Sequence, residues 1–152
     1  MANGFFYKKG VAEELIISLL ALLFIYAGCS KLLNMADFAG AMAVQPFAGW
    51  IKALLSNTLP YAEIVIAVGL LLYKSRQYAL YMYALLLLLF TSYSGLALFH
   101  YFKTVPCSCG GIIEHLDWKA HFILNLVFCV LTIVATALHL SNKLIVHNQE
   151  VS

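Results

Sequence analysis

Long apolar runs alternate with short polar breaks along the chain, and four of these runs have the character of membrane spans. Their approximate bounds are 11–33, 58–73, 78–102 and 118–140. A helix rises about 1.5 Å per residue, so roughly 20 apolar residues cross a hydrocarbon core of about 30 Å. The pattern predicts an all-α membrane protein whose residues 1–152 form a single four-helix transmembrane bundle.

The second run is short for a span, and the segment before it has mixed character. Within Asn34 to Asn57, apolar residues recur at near-helical spacing, so we expect this segment to lie on the membrane surface between helices 1 and 2. Asn57 or Thr58 is expected to cap the second helix, with Pro60 in its first turn.

The remaining runs allow further predictions. In the third helix, the 85–89 leucine run is expected to face lipid, and residues 93–95 are expected to face other helices. The tail after the fourth span, 144–152, is too short to cross the membrane and is expected to fray.

Composition agrees with a membrane protein. Hydrophobic residues make up 63% of the chain and charged residues 11%, which is far from the usage of soluble domains. The formal net charge of +2 comes from scattered side chains, so the sequence gives no reason to expect nucleic-acid binding. The first apolar run is too long for a signal peptide and is interpreted as a retained span.

Four charged side chains fall within the first two spans. Glu13 and Glu14 are expected to be solvated in the first turn of helix 1, where the helix dipole favours carboxylates. Lys31 and Glu63 come from the same side of the membrane, where they could form an ion pair. A snorkelling Lys31 remains the alternative, and a structural pair is favoured over a catalytic one.

The connection between the third and fourth spans contains the chain's most reactive motif, Cys107-Ser108-Cys109. A disulfide across one residue departs from relaxed geometry, so it is strained and easily reduced. The pair therefore indicates a thiol-disulfide redox centre. Two alternatives stay open: a tight turn with incidental thiols, and a metal site with His115 and neighbouring histidines. The histidine spacing matches no zinc motif, so the prediction is that there is no metal.

In the redox interpretation, one of Cys107 and Cys109 exchanges with a cysteine of a partner, and the other resolves the mixed disulfide. Positive charge on Lys103, His100 or His115 could favour the reactive thiolate. A rival function is a non-catalytic membrane scaffold in which the cysteine bond only shapes a docking loop. A third is metal handling.

Four spans place both termini on one side of the membrane. The distribution of Lys and Arg favours cytoplasmic termini only slightly. Disulfide chemistry belongs in an oxidising compartment, so Cys107 and Cys109 are expected outside the cytoplasmic membrane. Of the other cysteines, Cys129 is expected to be a small buried apolar residue. Cys29 could resolve a mixed disulfide, although a buried inert thiol is favoured.

Three segments, in order across the four spans, resemble the MauE branch of the DoxX-like bacterial membrane proteins. They are Tyr26-Ala27-Gly28-Cys29-Ser30-Lys31-Leu32, Leu59-Pro60-Tyr61-Ala62-Glu63 with Gly69-Leu70-Leu71, and Cys107-Ser108-Cys109-Gly110-Gly111. The resemblance covers about 11–140. It implies a four-helix protein of the bacterial inner membrane that assists disulfide formation in periplasmic proteins, beside a thioredoxin-like or client partner.

The resemblance also assigns residues. The family's Cys-x-Cys falls on Cys107 and Cys109, its lysine on Lys31 and its carboxylate on Glu63. The architecture is similar to that of the vitamin K epoxide reductases, which pass electrons to a quinone. This chain has no second external cysteine pair, so the sequence requires no cofactor and a quinone is unsupported. Gly110 replaces the aromatic residue that often follows the second cysteine in the family.

Overall fold

A computed structural model of the protein describes the backbone of residues 2–99 and 118–150 and the side chains of residues 10–99 and 119–144. Within those ranges the chain forms five α-helices and no strand. They are α1 (Ala2–Leu33), α2 (Met35–Ala43), α3 (Gly49–Leu71), α4 (Arg76–Leu98) and α5 (Trp118–Glu150). All except the short α2 contain a stretch long and apolar enough to cross a membrane. The predicted all-α membrane bundle is confirmed.

The four long helices form a closed, antiparallel bundle. Each of α1 and α4 packs against both α3 and α5. Lys31, late in α1, meets Glu63 of α3, whereas Glu13, early in α1, meets His139 late in α5. We call the end where α4 ends and α5 begins the connection end, and the opposite end, which holds the α3–α4 turn, the turn end. The C-terminus of α1 and the whole of α2 lie at the connection end.

The interior is filled by apolar side chains from all four long helices. Its central contact is a stacked pair, Phe24 and Tyr83, whose ring centroids are 3.9 Å apart. A smaller cluster at the connection end joins Phe38 and Met42 of α2 to Leu59 of α3. The remaining buried members of the main core are Ile17, Leu20, Ala21, Ala67, Leu70, Ala79, Leu80, Leu87, Phe128 and Ala135.

The second span differs from the prediction. The helix begins at Gly49, not near 58, so part of the expected surface segment is the first third of α3. Asn57 and Thr58 do not cap it, because their side chains donate to carbonyl oxygens four residues earlier within the helix. Pro60 lies in the helix interior. Membrane helices tolerate an interior proline more readily than the helices of soluble proteins do. The extra turns supply the length that the apolar run alone lacked.

Two smaller expectations also need correction. Leu87 is buried in the core, so only part of the 85–89 run, including Leu85, Leu88 and Leu89, is exposed on the outer surface. The tail does not fray from residue 144, because α5 continues unbroken to Glu150. The expectation for residues 93–95 holds for Ser94 and Gly95, which are both buried.

Candidate functional site at the connection end

Lys31 and Glu63 form a buried ion pair between α1 and α3. The Lys31 Nζ lies 2.7 Å from Oε1 and 2.8 Å from Oε2 of Glu63, and the two side chains are only 7% and 1% exposed. Both carboxylate oxygens therefore accept charge-assisted hydrogen bonds from one ammonium. The predicted contact is confirmed, and Lys31 is an interior cation and not a snorkelling one.

A glycine one turn before Lys31 brings the two helices close enough for this contact. A Cβ on Gly28 would lie 2.8 Å from Cγ1 of Ile64 and 2.9 Å from the backbone oxygen of Pro60. No side chain fits into that space without moving the α3 backbone. Small residues permit such close approach of membrane helices. Gly28 therefore sets the spacing at which the lysine and the carboxylate meet.

Helix α2 and the segment after it cover this end of the bundle. The ring of Phe38 lies 5.8 Å from the Lys31 ammonium, within the range of a cation–π contact. Gln45 is buried, and its Oε1 accepts a hydrogen bond from the hydroxyl of Tyr93 on α4. Phe47 packs on the same tyrosine, with ring centroids 5.4 Å apart. These contacts tie the segment between the first two spans to the end of α4.

The predicted redox residues Cys107, Cys109 and His115 lie outside the described residues. The chain nevertheless leaves α4 at Leu98 and enters α5 at Trp118, so the segment that holds the cysteines connects two helix ends at the connection end. Lys31 is two residues from the end of α1, about 3 Å of helical rise, at that same end.

The two described cysteines occupy different environments. Cys29 is exposed on the outer surface of the bundle, so the favoured expectation of a buried inert thiol is wrong. It precedes the inward-facing Lys31 by two positions, which places it on another side of α1. Cys129 is partly buried against the main core, and its sulfur lies 3.5 Å from Oγ1 of Thr91. Neither is joined in a disulfide within the described part of the chain.

A second polar cluster lies at the turn end. Arg76 contacts two carboxylates of α1: its Nη1 is 2.5 Å from Glu14 and 3.2 Å from Glu13, and its Nη2 is 3.1 Å from Glu14. The Arg76 Nε also donates to the carbonyl of Leu70 at 3.1 Å. Glu14 is 58% exposed, but Glu13 is only 5% exposed. The expectation that both carboxylates are solvated is thus wrong for Glu13.

Two side chains of α5 complete the environment of Glu13. The His139 Nδ1 lies 2.7 Å from Glu13 Oε1, and the Asn142 amide donates to Oε2 at 2.6 Å. Residues from α1, α4 and α5 are therefore joined through one buried carboxylate. The sequence reasoning missed this cluster because its members are far apart in the chain. A carboxylate, a guanidinium and a histidine at the same predicted end of apolar spans could have indicated it.

The described residues contain no group of three or more His, Cys, Asp or Glu side chains arranged to hold a metal ion. The histidines at positions 100 and 115, which entered the metal alternative, fall outside those residues. Among the described residues, the buried polar contacts at the connection end include the Lys31–Glu63 pair and the Gln45–Tyr93 hydrogen bond.

Neither the curated proteins nor the solved structures include a significant match to the chain. The sequence model of one family, described as methylamine utilisation protein MauE, matches residues 9–138. That range includes the first three spans, most of the fourth and the Cys-x-Cys motif. It also includes both polar clusters except for His139 and Asn142. The chain therefore belongs to the MauE family.

Proposed function

We propose that the protein is a thiol-disulfide redox protein of the bacterial inner membrane, with Cys107 and Cys109 as its exchanging pair. The observation that carries this proposal is the position of the motif in the chain. The Cys-x-Cys sequence lies in the connection between α4 and α5, at the end of the bundle that also holds the Lys31–Glu63 pair.

The exchange proceeds by thiolate attack. In the oxidised protein, a partner's thiolate attacks one sulfur of the Cys107–Cys109 bond, which forms a mixed disulfide and releases the other cysteine as a thiolate. The partner's second thiolate then attacks the mixed disulfide, so the partner leaves oxidised and the pair is left reduced. Two electrons pass from the partner to the pair. The reverse sequence reduces a partner, and the relative reduction potentials decide the direction.

The described polar residues at the connection end have supporting roles in this proposal. The Lys31–Glu63 pair fixes α1 against α3, and the Gln45–Tyr93 hydrogen bond fixes the segment between them against α4. A rigid scaffold of this kind holds the helix ends from which the cysteine segment extends. The partner is a periplasmic thioredoxin-like or client protein, with the termini of this chain in the cytoplasm. Cys29, on the outer surface, is not assigned as the resolving thiol.

The first test is the redox state of the pair in membranes. Thiol-blocking mass spectrometry across a glutathione or dithiothreitol series measures the fraction of Cys107 and Cys109 that is oxidised. We expect a reversible disulfide with a potential well above about −300 mV, the region of stable structural disulfides. Cys29→Ser and Cys129→Ser are the matched controls, and neither should change the potential.

Single-cysteine variants provide the second test. Cys107→Ser or Cys109→Ser should accumulate a mixed disulfide with an oxidised, disulfide-bonded partner. The remaining thiolate attacks the partner's disulfide and releases one partner thiolate, and the second cysteine that would resolve the mixed disulfide is gone. The double variant should form none. A pair that stays reduced and retains zinc or copper would replace this proposal with metal handling. A pair that stays oxidised under strong reductant would replace it with a scaffold whose docking loop is shaped by the bond.

A further inference from the structure

The turn end carries two lysines that its carboxylates do not neutralise. Glu13 and Glu14 both contact Arg76. Lys74, in the α3–α4 turn, and Lys143, near the end of the fourth span, are exposed, and neither contacts a carboxylate within the part of the chain that the structure describes. These two ammonium groups therefore leave uncompensated positive charge on the outer surface of the turn end.

The Lys143 ammonium is held where α4 and α5 meet. Its Nζ donates to Oε1 of Gln77 at 3.0 Å, and the Gln77 Nε2 donates to the Tyr81 hydroxyl at 3.4 Å. We call the outer surface around these three side chains the α4–α5 seam. An ammonium has three N–H donors, so the contact with Gln77 leaves two for an acceptor from outside the described chain.

The seam opens at the membrane boundary and becomes apolar with depth. Gln77 is the second residue of the third span, and Lys143 is the last but one of the fourth. Tyr81 and Leu85 follow Gln77 at successive turns on one side of α4, and they are 48% and 53% exposed. Tyrosine is typical of the headgroup level of a membrane. The order of cation, tyrosine and leucine matches the order of headgroup, glycerol and acyl chain in a phospholipid.

We propose that the α4–α5 seam binds the headgroup of an anionic phospholipid, with the Lys143 ammonium donating to its phosphate. Phosphate oxygens accept charge-assisted hydrogen bonds from ammonium groups. Lys74, three positions before Gln77 in the chain, adds positive charge at the same end, and such basic residues beside a span attract anionic lipids. The exposed Leu85 favours a lipid over free phosphate, because an acyl chain can lie along it.

Native mass spectrometry of the full-length protein in detergent micelles tests the site. The chain is titrated with dioleoyl phosphatidylglycerol, which is anionic, or with dioleoyl phosphatidylcholine, which has no net charge. We expect the first phosphatidylglycerol to bind about 25-fold more tightly than the first phosphatidylcholine, about fivefold for each of the two lysines, because a basic residue near an anionic lipid surface contributes about 1 kcal/mol. Equal affinities for the two lipids would overturn the proposal.

Lysine variants locate the site on the protein. Lys143→Gln should lose about fivefold of the preference, whereas Lys143→Arg, which keeps the charge, should retain most of it. Lys119→Gln is the matched control, because Lys119 is an exposed lysine at the opposite end of the same helix, and it should leave the preference unchanged. Equal losses in Lys143→Gln and Lys119→Gln would show attraction to the net charge alone and would overturn the seam as the site.

Inorganic phosphate distinguishes a lipid site from a site for a free anion. In large molar excess it should not displace phosphatidylglycerol, because it has no acyl chain to lie along Leu85. Displacement would assign the seam to a free anion and overturn the lipid assignment. The seam is at the opposite end of the bundle from the cysteine segment, so neither result depends on the proposed thiol chemistry.

Discussion

Replacing Lys31 with methionine removes the ammonium that donates to both oxygens of Glu63. Those contacts are 2.7 and 2.8 Å long, and the carboxylate they leave behind is 1% exposed. Each charge-assisted hydrogen bond contributes about 1.5–3 kcal/mol, and breaking a buried ion pair costs about 3–5 kcal/mol. We therefore expect Lys31→Met to lower the free energy of unfolding by about 3–5 kcal/mol.

A double-mutant cycle isolates the interaction. Glu63→Met alone should also destabilise strongly, because it leaves a buried ammonium whose next acceptor is the Ala27 carbonyl at 3.5 Å. The Lys31→Met/Glu63→Met double variant replaces the ion pair with two apolar side chains and should return to within about 1 kcal/mol of the parent protein. Unfolding by increasing sodium dodecyl sulfate in mixed micelles, followed by circular dichroism, measures each free energy.

Lys52→Met is the matched control for the loss of a lysine. The Lys52 ammonium donates to the Ala43 carbonyl at 2.6 Å and not to a carboxylate. Its loss should cost no more than about 1.5 kcal/mol, as for an ordinary hydrogen bond. If the effects of the two single variants add to within about 0.5 kcal/mol in the double variant, Lys31 and Glu63 are not energetically coupled, and the reasoning from their distance is wrong.

The same unfolding assay checks three further predictions. Gly28→Ala should lower the free energy of unfolding by about 1–3 kcal/mol, because the new Cβ would meet the α3 backbone. Gly40→Ala is the control: its Cβ would meet nothing within 4 Å, so this variant should be neutral or slightly stabilising. Equal effects of the two variants would contradict the close contact at Gly28. Tyr83→Phe should be neutral or stabilising by about 1 kcal/mol, because the buried hydroxyl has no hydrogen-bond partner among the described residues. Tyr93→Phe loses a hydrogen bond to the buried Gln45 and should cost about 0.5–1.5 kcal/mol. If Tyr83→Phe is the more destabilising of the two variants, this reasoning from the hydrogen bonds is wrong. Arg76→Leu should cost about 3–5 kcal/mol because it leaves a buried carboxylate without its guanidinium, and a change below about 1 kcal/mol, as for an exposed pair, would show that the carboxylate is already compensated.

The sequence is informative about the spans because lipid demands one property, apolar length, that is visible in the residues themselves. It is less informative about where a helix begins when the preceding segment is amphipathic. Pro60 fits the first turn of a helix, so it suggested a start near 58, but the helix extends back to Gly49. Membrane helices tolerate an interior proline, so the rule that a proline marks the first turn of a helix does not locate the start of α3.

The two clusters of charged side chains also differ in how well the sequence predicts them. The shared membrane side of Lys31 and Glu63 predicts their pair, and the structure has them in contact. Glu13 looked like a solvated residue of a first turn, and its burial depends on Arg76 and His139. Those partners are 63 and 126 positions away, so the packing of α1 against α5 and the position of the α3–α4 turn are needed to show that they touch Glu13.

The ion pairs of α1 impose an order on membrane assembly. Helix α1 is synthesised first, yet each of its two inward-facing charges is compensated by a later span: Lys31 by Glu63 of the second, and Glu13 by Arg76 of the third. Side chains of the fourth span, His139 and Asn142, make the remaining polar contacts of Glu13. A nascent chain that stops after the second span has neutralised one of these charges and left the other without its partners. Insertion of the last helix is therefore the step that completes the polar contacts of the buried carboxylate of the first.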